Sequence, residues 1–131
     1  MKIVADTNVL VRVVVRDDVA QARTAEKMLR KAELIAVTLP ALCEFVWVLK
    51  KLYGFAIADV AAAIRALMAT RNVEMNRPAV EVGLAVLEAG GDFADGVIAF
   101  EGRWLGGETV ISFDKRAVAL LTSQGHAARL L

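Results

Sequence analysis

The chain alternates short apolar runs with longer stretches whose apolar positions recur every three to four residues. Lys2-Ile3-Val4-Ala5 shows no polar alternation and predicts a strand buried on both faces. Residues 18–32 place Ala22, Ala25, Leu29 and Ala32 together, which predicts an amphipathic helix. Residues 34–38 predict a second strand. Pro40 suits the first turn of a helix running to about Leu52, because its missing N–H is harmless there. Gly54 ends that helix, and Ala58 to Arg71 predicts another, rich in alanine. A short strand near Val73–Met75 and a helix from Ala79 to about Ala89 follow. Gly90-Gly91 then precede a helix that starts near Asp92 and ends by Gly106-Gly107. Residues 109–113 predict a strand, 115–123 a last helix, and 127–131 an edge strand. Residues 6–8 mark a turn from the first strand toward a loop or helix.

Alternating strands and helices imply an α/β fold in one domain, residues 1–131. Its mainly parallel central sheet has about four to five strands, with helices on both faces. Ligands of open parallel sheets bind beyond the carboxyl ends of the strands. Asp6 and Asp114 directly follow predicted strands, so parallel, adjacent strands would bring them to one rim.

A length of 131 residues is enough for one domain with a real core. The hydrophobic fraction of 57% implies that a partner covers some apolar surface. No stretch has transmembrane length, and the uncharged run from Leu34 to Cys43 is far too short. The acid at Asp6 arrives too early for a signal peptide's apolar core, and a single cysteine, Cys43, suits a reducing cytoplasm. A net charge of +1 argues against a general polyelectrolyte binder. Arg23, Lys27, Arg30 and Lys31 still share one side of the helix over 18–32, as a solvated face or a contact for phosphates.

Five carboxylates stand where a soluble domain seldom puts them. Asp6 and Asp114 end apolar strands, and Glu44 is the only charge between Glu33 and Lys50. Its helical neighbours Pro40, Ala41, Trp47 and Val48 are all apolar, which predicts a carboxylate at a buried face. Asp92 and Asp95 open a helix at capping-box spacing; Asp92 reads as the cap or a supporting acid. Asp95 is followed one turn on by Ile98 and Ala99, which places it at an inner boundary. Ser112 and Asp114 fall on the same side of their strand, with Phe113 opposite. Asp6 and Asp114 also suit helix caps, and both roles are open. Scattered charges of this kind can share one compensator, a divalent cation. The donors are hard oxygens, which suits Mg²⁺ or Mn²⁺ over zinc or copper. The sole histidine, His126, has no ligand spacing around it, and no phosphate-binding glycine loop is present.

In order and spacing, Asp6-Thr7-Asn8-Val9-Leu10, Glu44, Asp92-Phe93-Ala94-Asp95-Gly96-Val97-Ile98-Ala99 and Ser112-Phe113-Asp114 resemble the PIN-domain ribonucleases. The resemblance covers essentially the whole chain and is nearest to the VapC-type toxins of prokaryotic toxin–antitoxin pairs. It implies a single PIN-like domain and a divalent-metal-dependent endoribonuclease using Mg²⁺, with Mn²⁺ able to substitute. Asp6, Glu44, Asp95 and Asp114 would form the acidic metal pocket, with Asp92 auxiliary at its edge. Thr7, Asn8 and Ser112 would orient ligands or waters, while Arg12, Lys115 or Arg116 would steady the substrate phosphate. It further implies an RNA substrate, a homodimer, and a small antitoxin lying along an apolar groove that Trp47, Phe55 and the alanine-rich helix suit. Gly96 departs from the family's usual alanine and is expected to loosen the helix start. Two other readings compete, a non-catalytic PIN-like binding module and an aspartate-based phosphoryl-transfer domain. The latter lacks a second early acid, an aspartate after the third strand, and an Asp-x-Asp-x-Thr motif, because position 8 is Asn.

Overall fold

In the computed structural model, which describes residues 1–131, strand β1 (Lys2–Val4) pairs in parallel with β2 (Leu34–Ala36). Ile3 stands opposite Ile35, and β3 (Val73–Glu74) joins the other side of β2, again in parallel. Central β2 is the best buried of the three, with Ile35 at its middle and Val37 just beyond its end both closed off from water. These strands belong to the first of two compact units, Met1–Asn76 and Arg77–Leu131.

Four helices complete the first unit: α1 (Thr7–Val15), α2 (Val19–Lys31), α3 (Leu39–Trp47) and α4 (Ile57–Met68). Asp18 starts α2 by accepting the Gln21 N–H at 3.0 Å. Thr38 starts α3 by accepting from Ala41, with Pro40 in the first turn as expected. Helix α3 continues into a π-helical turn, Val48–Leu52. Helix α1 is the element that the sequence pattern does not reveal. Its Val9, Val11 and Val13-Val14-Val15 are β-branched and favour strands locally. Burial of Leu10 and Val11 on one face outweighs that preference.

The second unit holds α5 (Arg77–Glu88), α6 (Phe93–Trp104), β4 (Val110–Ser112), α7 (Lys115–Ser123) and β5 (Ala128–Leu130). β4 and β5 are parallel, with Val110 opposite Ala128. Val86, Ala99 and Leu121 form a buried cluster against which Val110, Leu120 and Ala128 pack. Helices α5 and α6 meet through glycines. A Cβ on Gly96 would lie 2.7 Å from the Val82 carbonyl oxygen, and one on Gly83 would lie 2.6 Å from the Phe93 ring. Gly96 therefore does not loosen the start of α6, contrary to what its sequence implies. It lets α6 lie directly on the backbone of α5.

The expected α/β fold with a parallel sheet is what the chain adopts. Its five strands divide as three plus two, and β1 and β4 belong to different sheets. Asp6 and Asp114 thus follow strands of separate ladders, each within its own unit.

Candidate active site

In the first unit, Asp6 sits between the end of β1 and the first residue of α1. Its backbone is extended, as an N-cap requires, yet its side chain makes no capping hydrogen bond. The carboxylate is exposed and free for other partners. Thr7 behind it is the one polar side chain in the buried set. Its hydroxyl lies 3.3 Å from the Ala41 carbonyl oxygen and 3.4 Å from Glu44 Oε2, and so ties α1 to the face of α3 that carries the glutamate. Asp6, Thr7 and Glu44 line one open cavity of about 260 Å³, with Thr38 and Pro40 on its wall. Asn8 is exposed on the first turn of α1.

Glu44 differs from expectation in one respect. It is exposed, because the buried stripe of α3 runs through Ala41, Leu42, Phe45 and Val46, whereas Trp47 on the glutamate's side is 54% exposed. The cost of burying an unpaired charge is no argument for its role. Its shared cavity with Asp6 is. The pattern of charges does not single out Thr38, although Thr38-Leu39-Pro40 is a recognisable helix start.

In the second unit the acids divide by what their oxygens already do. Asp92 caps α6, accepting the Ala94 N–H at 3.2 Å. Asp114 caps α7, accepting the Ala117 N–H at 3.0 Å. Ser112 Oγ accepts the Asp114 N–H at 3.0 Å and so shapes the turn from β4 into α7. Phe113, expected opposite, is exposed. Asp95 caps nothing and is half-buried in the first turn of α6. Of the two residues expected to point inward one turn on, Ala99 is buried and Ile98 is exposed. Burial first, then the charges of Asp92 and Asp114, push the Asp95 carboxyl above its ordinary pKa.

The three basic candidates stand apart in kind. Arg12 is held by Asp17 and Gln21, each at 2.6 Å, and Tyr53 donates to the same Asp17 at 3.1 Å. Arg116 donates to the Gly90 carbonyl at 2.9 Å, fastening α7 to the α5–α6 turn. Lys115 is exposed and carries no ion pair.

No three side chains among His, Cys, Asp and Glu are gathered closely enough to hold a metal ion by themselves. The donor chemistry nevertheless fits a hard divalent cation. The proposed ligands Asp6, Glu44, Asp95 and Asp114 are all carboxylates, hard oxygen donors of the kind such an ion prefers. The PIN-domain pattern matches residues 3–120, nearly the whole chain and both of its units. The chain belongs to the PIN-domain family. PIN domains are a nuclease-type fold, generally of metal-dependent ribonucleases. No curated protein matches this PIN domain. None of its helices is long and apolar enough to cross a membrane.

Proposed function

We propose that this PIN domain is a divalent-metal-dependent endoribonuclease and the toxin of a prokaryotic type II toxin–antitoxin pair, acting in the cytoplasm. The observation that carries the nuclease reading is the contrast among the aspartates. Asp92 and Asp114 each accept a helix-capping N–H, whereas Asp6 and Asp95 leave theirs unused. An acid kept at a strand end or half-buried in a helix without a structural partner is best explained by chemistry.

Asp6, Glu44, Asp95 and Asp114 are the proposed ligands of Mg²⁺ in a single nuclease domain over 1–131, with Mn²⁺ able to substitute. Family membership across both units supports that assignment. When bound, the ion would supply Lewis-acid activation of water and neutralisation of the scissile phosphate. The chain's own residues prepare for it. Thr7 fixes the Glu44 carboxylate from the buried side. Asp92 keeps its cap and adds negative field to Asp95. Ser112 holds the backbone that presents Asp114. Asn8, exposed on the first turn of α1, would orient water. Of Arg12, Lys115 and Arg116, Lys115 is the most available to steady a substrate phosphate, since the two arginines already have partners.

The toxin assignment draws on an open apolar groove of about 880 Å³ in the first unit, lined in part by Leu10, Val13, Val14, Leu29, Ala63 and Leu67. It would take the C-terminal segment of a small antitoxin. The alanine-rich α4 contributes to it, while Trp47 and Phe55 do not line it. A homodimer completes the proposal and rests on the resemblance to VapC-type toxins.

End-group analysis of RNA cut by the purified chain tests the chemistry. Water attacking in line leaves a 5′-phosphate and a 3′-hydroxyl. Recovery of 2′,3′-cyclic phosphate ends would refute it.

A further inference from the structure

Four basic side chains on α2 have no acidic partner. Arg23, Lys27, Arg30 and Lys31 are all exposed, and with Glu26 they line a shallow groove of about 430 Å³. Their spacing stacks them on one side of the helix, over about 12 Å at 1.5 Å per residue. Glu26, the one acid in the groove, is held by Arg16 in an ion pair. Glu33, just past the helix, faces the N-terminal ammonium at 3.2 Å. Asp17 is engaged by Arg12, and Asp18 caps the helix. The nearby acids are neutralised or occupied elsewhere, so a chain of net charge +1 concentrates four positive charges on one short face.

We propose that this groove binds the sugar–phosphate backbone of single-stranded RNA. The choice of RNA rests on the nuclease reading above; the choice of phosphates rests on the groove. A polyanion carries one charge per nucleotide, so cations stacked over successive turns each meet a phosphate without reading a base. A lipid surface is a poor match, because α2 has no aromatic residue and its two exposed large apolar side chains, Val19 and Met28, stand about two and a half turns apart on opposite sides of the helix, forming no continuous apolar face.

The test measures binding of labelled single-stranded RNA across salt concentrations, in the full chain carrying Asp95→Asn so that the RNA stays intact. Replacing three cations together (Arg23→Ala, Lys27→Ala, Lys31→Ala) should flatten the dependence of log K on log salt by about 2, since each phosphate left without its cation removes about 0.7 from the slope. Arg30 is kept because it also borders the apolar groove. The charge-preserving triple (Arg23→Lys, Lys27→Arg, Lys31→Arg) should keep the parent slope, and an unchanged melting temperature shows that the alanine variant is folded. An unchanged slope and affinity in the alanine variant overturns the proposal, as does a loss confined to an acidic peptide with RNA binding intact. Cleavage by the wild type alongside an unchanged slope rejects the groove and leaves the nuclease reading standing. A flattened slope in a chain whose wild type never cuts RNA keeps the groove and rejects the nuclease.

Discussion

At the scale of single residues, the aspartates are separable by substitution because asparagine still caps a helix. Asp114→Asn keeps an acceptor for the Ala117 N–H and should leave the melting temperature nearly unchanged while lowering cleavage at least about 100-fold. Asp114→Ala should lose the cap as well, costing about 1 kcal/mol. Equal activity in the Asn variant and the wild type would reduce Asp114 to a cap. Asp95 makes a prediction about pH. Its folded pKa lies above the ordinary 3.8, so its favourable contribution to folding is present below that value and is lost as pH rises through the folded pKa. Metal-free Asp95→Asn should therefore melt above the wild type at pH 7, with the gap closing below about pH 4. Thermal melts in EDTA across that range check it. The sequence exposes all these acids, since charges between apolar runs stand out. It cannot say which oxygens are occupied, because capping depends on backbone angles fixed only on folding. Nor can it show that Glu44 is exposed, because α3 buries Ala41, Leu42, Phe45 and Val46 and turns the side that carries Glu44 and Trp47 outward.

At the scale of elements, the tightest constraint is the glycine contact between α5 and α6. Gly96→Ala would place a methyl 2.7 Å from the Val82 carbonyl oxygen, backbone that cannot rotate away. It should destabilise the fold by about 1–3 kcal/mol, read from denaturant midpoints. A neutral result would mean that α6 shifts freely over α5. No pattern within α6 alone reveals this close approach, since the atoms that a Cβ would meet lie on another helix. Strands and later helices are legible because glycine pairs, Pro40 and apolar runs punctuate them. Helix α1 is not, because its valine-rich sequence argues locally for a strand and only burial of Leu10 and Val11 decides otherwise.

At the scale of the whole molecule, charge balance links the acids to the metal. The four carboxylates proposed as ligands would gain a counter-charge when the cation binds, so Mg²⁺ should stabilise the fold in proportion to its binding. At a hundredfold excess over its Kd the gain should be about 2.7 kcal/mol, and it should vanish in Asp6→Asn, Asp95→Asn. The two substitutions draw one residue from each compact unit. The most direct test of the metal-dependent nuclease is cleavage of end-labelled total RNA by the purified, antitoxin-free chain, with Mg²⁺, with Mn²⁺ and with EDTA, beside that double variant. Discrete fragments that require the metal and disappear in the variant are the expected result. Fragments that persist in EDTA, or that the double variant produces as well as the wild type, would contradict it.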